Sequence, residues 1–96
     1  MTTLVSADIS AQNTFTDSVR LEGYFNLSLS GTFAATVTVQ RSIDNSTWVD
    51  VDTFTAASED VGFEPELMWY RVGVKTGDFT SGTVVVRLGR EDEDRH

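Results

Sequence analysis

Alternation of apolar and polar side chains is the feature of this chain that most limits how it can fold. Residues 24–30 place Phe25, Leu27 and Leu29 on one face and mainly polar side chains on the other, a period of two that is typical of a half-buried strand. No stretch has the period of an amphipathic helix together with capping residues. The predicted strands cover 24–30, 33–43, 47–54, 68–76 and 83–88, with weaker candidates at 2–6, 14–21 and 59–63. The sequence therefore predicts an all-β protein.

Turn signals separate these strands and indicate how they connect. Asp44-Asn45-Ser46 divides residues 33–54 into a hairpin with a short loop, and Thr76-Gly77-Asp78 turns the chain before the last strand. Seven to eight short antiparallel strands predict an immunoglobulin-like or fibronectin-III-like β-sandwich. We expect residues 1–90 to form this single domain.

The two ends of the chain differ from its middle. The less regular residues 1–14 are expected to be either an edge strand or an arm that reaches a neighbour. Residues 91–96 form a charged tail, which we interpret as solvated; the alternative is docking to a basic patch on a partner. The first 20 residues lack a basic start followed by an apolar run, so we expect neither a signal peptide nor a membrane span.

The composition of the chain excludes several classes of function. The chain has no Cys, a single His at position 96, and a net charge of -8 with a pI near 4.3. The absence of Cys excludes thiolate chemistry and disulfides, and a terminal His is a poor base for a catalytic triad. Acidic surfaces repel phosphate, so we predict no nucleic-acid partner and no membrane partner. We accordingly predict no enzymatic activity, no cofactor and no metal.

Carboxylates were the remaining candidates for chemistry. Asp50 and Asp52 lie two apart on a predicted strand and should share a face, while Glu64 and Glu66 flank Pro65 in a predicted loop. We interpret both pairs as solvated acids rather than as the paired acids of a glycosidase. The other alternative is a Ca²⁺ site formed by Glu59, Asp60, Glu64 and Glu66.

A few apolar and cationic side chains are candidates for contact with a partner. Alternation places Trp48, Trp69 and Arg71 on faces opposite the predicted core, and Trp and Arg are enriched at interfaces. The alternative is that a bulge or sheet twist tucks each Trp into the rim of the core. Leu4 and Val5 are the corresponding candidates in the N-terminal stretch.

Arg41 departs from its neighbours, because strand parity directs it inward. It would then end the buried part of its strand, pair with a carboxylate near the sandwich edge, or mark a bulge that resets the register.

Tyr70-Arg71-Val72-Gly73-Val74 resembles the penultimate strand of fibronectin type III domains. Residues 37–42 with 48–51 resemble the central hairpin of the same architecture. The likeness covers residues 33–88 but lacks a clear Trp on the strand before the hairpin. It implies an architecture and not a function.

A second likeness is narrower. The chain resembles small β-sandwich virion proteins of tailed bacteriophages in the segments 31–33, 37–42, Asp44, 47–48, 70–71 and 81–84. This resemblance implies a capsid decoration (cement) protein that is made in the host cytoplasm, binds the major capsid protein on the virion surface and forms homo-oligomers, with trimers favoured. The alternatives are a tail or baseplate accessory domain and a carbohydrate-binding or adhesion module.

Overall fold

The computed structural model describes residues 2–91, with side chains from residue 4 to residue 90. This part of the chain contains no helix, and every strand pair is antiparallel. The strands are β1 (Thr2–Ile9), β2 (Thr14–Phe15), β3 (Val19–Ser30), β4 (Phe33–Ala35), β5 (Val37–Ser42), β6 (Val49–Phe54), β7 (Ser58–Val74), β8 (Phe79–Gly82) and β9 (Val84–Glu91). The predicted all-β antiparallel fold is confirmed.

One long sheet holds seven of these strands. Its hydrogen-bonded order is β1-β9-β3-β7-β5-β6, with β2 paired to the end of β7, and β4 and β8 form a separate two-stranded sheet. The N-terminal strand β1 pairs with β9 and lies at one edge of the order; β6 lies at the other. The central strand β7 is 17 residues long, so its two halves have different neighbours.

The long sheet buries one common core. Its buried apolar side chains come from β1, β3, β5, β7 and β9 and form a single cluster. A single flat sheet would leave one of its faces in water. The shortest dimension of the molecule is 17 Å, which accommodates two sheet layers about 10 Å apart. The sheet therefore packs against itself as a sandwich. The alternate apolar residues of the predicted strands 24–30, 68–76 and 83–88 are all buried, as alternation predicts: Phe25, Leu27, Leu29, Met68, Tyr70, Val72, Val74, Val84, Val86 and Leu88. The pattern fails at the end of predicted strand 33–43, because Ile43 lies in the hairpin loop and is 78% exposed.

A bulge interrupts the pairing of β3 with β7. Leu21 pairs with Met68 but Gly23 pairs with Glu64, so residues 65–67 oppose one residue of β3. Pro65 lies in this bulge, where its missing N–H breaks no ladder hydrogen bond. The predicted loop at Glu64–Glu66 is therefore wrong, because the bulge lets β7 continue through the proline.

A second bulge lies in the hairpin of β5 and β6. Val39 pairs with Asp52 and Gln40 with Asp50, which leaves Val51 as one extra residue. Directly paired residues share a face, so Asp52 lies on the side of buried Val39 and Asp50 on the outer side of Gln40. The prediction that Asp50 and Asp52 share a face is wrong for this reason.

The hairpin itself forms, with a loop at residues 43–48. Asn45 has a φ of 61°, and an Asp44 carboxylate oxygen accepts the backbone N–H groups of Ser46 (2.9 Å) and Thr47 (2.8 Å). These contacts are those of the predicted turn. The hairpin is shorter than the predicted 33–54, because Phe33–Ala35 is a separate strand that pairs with β8.

Candidate functional site

The outer face of β7 holds an arginine between two aromatic rings. The guanidinium carbon of Arg71 lies 4.3 Å from the centroid of the Phe15 ring and 4.4 Å from that of Trp48. All three side chains are half-buried. A cation over an aromatic face is attracted by the negative potential of the ring, by about 0.5–2 kcal/mol for each contact. Two such contacts limit the positions that the guanidinium can take.

A chain of polar contacts continues from Arg71 across two more strands. Arg71 Nε donates to Gln40 Oε1 (2.8 Å), and Gln40 Nε2 donates to Asp50 Oδ1 (2.8 Å). Lys75 Nζ lies 2.6 Å from the second oxygen, Asp50 Oδ2. Because the Gln40 amide both accepts and donates, its orientation is fixed by its two neighbours. The chain links β7, β5 and β6 on the outer face.

Asp50 and Lys75 each stabilise the charged form of the other. Hydrogen bonds from Lys75 and then Gln40 lower the pKa of Asp50, and the Asp50 carboxylate raises the pKa of Lys75. Burial lowers the pKa of Arg71, which remains cationic at neutral pH. The side chains of Asp50 and Lys75 are 44% and 43% exposed, so solvent screens their ion pair and the pair contributes little to stability.

Close approach of β2 to β7 places Phe15 on Arg71. A Cβ atom at Gly73 would lie 2.2 Å from the carbonyl oxygen of Thr14 and 2.5 Å from the Cα of Phe15. Any side chain there would displace the β2 backbone, because backbone atoms cannot move as a side chain does. The backbone N–H of Thr16 also donates to Val72 (2.9 Å) and anchors the short strand. The absence of a side chain at Gly73 therefore helps to position Phe15.

The other predicted contact residues divide between two places. Trp69 shares the outer face with Arg71 and is half-buried, with the Arg20 guanidinium 5.3 Å from its ring centroid. Leu4 is 46% exposed on β1, at the opposite end of the sheet order. Val5 is partly buried and packs against the core. The structure thus brings Trp48, Trp69 and Arg71 to one face and leaves the N-terminal pair apart.

Two members of this cluster were missed by sequence reasoning. Phe15 lay in a weak strand candidate, and nothing in its neighbours indicates which strand it pairs with. Gln40 lay on the outer side of an alternating strand, and its position next to the cationic Arg71 becomes apparent only from the pairing of β5 with β7.

A second polar network is buried on the inner side of β7. The Glu64 side chain is 2% exposed; its Oε1 accepts from Arg41 Nε (2.7 Å) and from the Tyr70 hydroxyl (2.7 Å). Glu64 Oε2 accepts from Arg41 (3.0 Å) and from the backbone N–H of Glu66 (3.2 Å). Arg41 is thus an inward cation paired with a carboxylate, one of the three alternatives for it.

The Glu64 network shifts three pKa values. The Arg41 hydrogen bond, with help from Tyr70, lowers the pKa of Glu64 to about 2. The same hydrogen bond raises the pKa of Arg41, and burial followed by the Glu64 contact raises the pKa of Tyr70 to about 12. Both Glu64 oxygens are taken by protein donors, which argues against the Ca²⁺ alternative at this residue. Among the described side chains, no three His, Cys, Asp or Glu residues cluster as metal ligands.

No protein-family model, curated protein or solved structure matches this chain. Within residues 2–91, no helix is long and apolar enough to cross a membrane. The outer cluster offers a fixed planar cation, two aromatic rings and an adjoining ion pair. Arg, Trp and Phe are among the side chains enriched where proteins contact one another, and such contacts require no bond to be made or broken.

Proposed function

We propose that this protein is a structural, protein-binding domain, and specifically a decoration protein on the capsid of a tailed bacteriophage. The observation that carries the binding role is Arg71 held between Trp48 and Phe15 on the outer face. Arg and Trp are two of the residues that most often dominate binding energy at protein interfaces.

The orientation of these side chains favours binding. Ordering a rotamer-rich side chain at an interface costs about 0.5–1.5 kcal/mol. Arg71 already has its Nε bonded to Gln40 and its plane confined by two rings, so much of its freedom is lost before a partner arrives. A partner would gain the contacts of a preorganised cation and of the exposed parts of both rings.

The finer assignment rests on the likeness to phage virion proteins. In the proposed mechanism each copy buries a modest area against the major capsid protein, and the symmetry of the shell repeats the contact many times. The net charge of -8 would keep decorated particles apart in solution.

Binding to expanded heads that lack the protein tests the proposal. We expect the purified protein to bind them with saturation, and Arg71→Ala to weaken binding about 30-fold, the loss of about 2 kcal/mol that marks a dominant interface residue. Arg87→Ala is the matched control, because Arg87 is exposed on β9 and should change binding less than threefold. Circular dichroism of both variants verifies that they fold.

The outcomes separate the parts of the proposal. Failure of the wild-type protein to bind heads would refute the decoration role. Recovery of the protein only in the tail fraction of virions would instead favour a tail or baseplate role. Equal binding by the Arg71 and Arg87 variants would remove the outer cluster as the contact surface.

A further inference from the structure

A groove opens into the core between β6 and the first half of β7. Its apolar floor is made of core side chains, and its volume is about 180 Å³. Cavities near 150 Å³ hold a molecule the size of benzene, so the groove fits one apolar side chain. It is too small for the drug-sized ligands that occupy about 300–1,000 Å³. The residues that line the floor are Phe25, Leu27, Val39, Phe54 and Tyr70.

The strand that borders this groove has a free edge. Residues 58–64 of β7 pair with β3 on one side, and no described strand pairs with them on the other, because β5 joins β7 only at residues 69–73. Half of the backbone N–H and C=O groups of this segment therefore face outward along the groove. Such an edge is a template for an added strand.

Both faces of the free edge suit an apolar neighbour. Val61 and Phe63 point to the outer side, where they are 66% and 58% exposed. Tyr24 on β3 is 71% exposed and extends this apolar surface, with its ring centroid 4.8 Å from that of Phe63. On the inner side the groove lies beside Gly62, where a Cβ atom would come within 2.5 Å of the Phe25 ring.

The rims of the groove are acidic. Asp52 lines it from β6 and Asp60 lines it from β7, with Glu59 next to Asp60 along the strand. The ion pairs seen between described residues, Arg41–Glu64 and Lys75–Asp50, do not involve Asp52 or Asp60. A ligand that carries cationic groups would therefore find two carboxylates, Asp52 and Asp60, in this groove.

We propose that the 58–64 edge of β7 binds an extended, basic and apolar segment of another protein as an added β-strand. In strand addition, main-chain hydrogen bonds supply affinity and pockets for alternate side chains supply specificity. One apolar side chain of the segment fills the groove, the next faces Val61 and Phe63, and flanking Lys or Arg side chains meet Asp52 and Asp60. This surface is separate from the outer cluster around Arg71.

Charge identifies the occupant as a different protein. A second copy would bring the same acidic edge, and charged residues on a free edge are a common device against self-pairing. The chain's own last six residues carry four acids and one Arg, so they too would be repelled. A segment with Lys or Arg beside apolar residues reverses both effects.

Selection from a yeast-displayed library of random twelve-residue peptides tests the proposal, with the free protein as bait and no capsid present. We expect enriched peptides in which adjacent apolar residues are flanked by Lys or Arg. One enriched peptide, made synthetically, should increase the protection of amides 58–63 from hydrogen exchange. The double variant Asp52→Lys/Asp60→Lys should bind it at least tenfold more weakly.

Control variants distinguish binding at the groove from an effect of net charge. Asp8→Lys/Asp17→Lys makes the same change in net charge at exposed positions away from the groove, and it should alter affinity less than twofold. Arg71→Ala should bind the peptide as the wild type does, which distinguishes this surface from the proposed capsid contact. The proposal is overturned if no peptide is enriched, if enriched peptides lack cations, or if both double variants weaken binding equally. Protection of 58–63 by dimerisation of the protein alone would also overturn it, in favour of a second copy.

Discussion

Replacement of Glu64 by glutamine measures how much one buried carboxylate stabilises this fold. The substitution keeps the shape of the side chain and removes its charge, while Arg41 and Tyr70 remain in place to contact it. Arg41 then loses its only described carboxylate partner, and the buried amide presents N–H groups where the carboxylate accepted hydrogen bonds. The variant should fold with lower stability at neutral pH.

The pKa of Glu64 gives the expected loss in the free energy of unfolding. A carboxyl with an ordinary pKa of 4.5 is held at about 2 in the folded protein. At 1.36 kcal/mol for each pKa unit, this difference corresponds to about 3 kcal/mol of stability. The Arg41 side chain is 38% exposed, and solvent screening of its charge lowers our expectation to about 2 kcal/mol.

The lowered pKa of Glu64 determines how the stability of the protein depends on pH. A lowered pKa in the folded state stabilises the protein above pH 4.5, and that stabilisation is lost as the pH falls from 4.5 through about 2. The wild type should therefore lose about 2 kcal/mol more than Glu64→Gln over this range. The two proteins should converge in stability near pH 2.

Urea unfolding followed by the fluorescence of Trp48 and Trp69 measures these differences at pH 7, 4.5, 3 and 2. Glu66→Gln is the matched control, because it is the same substitution two residues away on an exposed side chain. It should follow the pH dependence of the wild type within about 0.5 kcal/mol. If Glu64→Gln and the wild type lose stability in parallel from pH 4.5 to pH 2, the assigned pKa and the network's contribution are refuted.

Three further substitutions test how the fold is held together. Gly73→Ala should cost about 3 kcal/mol in urea unfolding, because its Cβ would meet the backbone of β2, whereas Gly77→Ala meets no atom within 4 Å and should cost about 1 kcal/mol from its φ of 91° alone. Leu88→Ala should cost about 2–5 kcal/mol because it empties a fully buried position, and the exposed Leu4→Ala, its control, should cost under about 1 kcal/mol. Asp44→Ala should speed hydrogen exchange of the amides in loop 43–48 and leave that of β9 unchanged; equal exchange in both proteins would contradict the role of that carboxylate in the turn.

Alternation predicted the fold well wherever it persists without interruption. The inward-facing residues were predicted correctly for the segments 24–30, 68–76 and 83–88. When the side chains alternate with a period of two, only one register places the apolar face in the core. Arg41 was recognisable as an exception, since an inward cation requires a buried partner. The identity of that partner depended on Glu64, which the proline next to it made look like a loop residue.

The outer cluster could be predicted only in part. The separate placement of Trp48 and Arg71 on polar faces follows from parity within each strand. Their contact depends on which strands are neighbours and in what register, and these are set by the packing of the whole sheet. The one-residue bulge at Val51 likewise has no local signal, and it separates Asp50 from Asp52.

The bulge between β3 and β7 restricts how the chain can change in length. Between β3 and β7 the mismatch is two residues, so the inward side of β7 is the same before and after it. Insertion or deletion of one residue at 65–67 would turn Val61 and Phe63 inward and expose the opposite face, whereas a change of two would preserve the pattern. Natural variants and engineered insertions should therefore differ here in even steps. A segment inserted at this bulge must therefore add an even number of residues to keep the inward side of β7 unchanged.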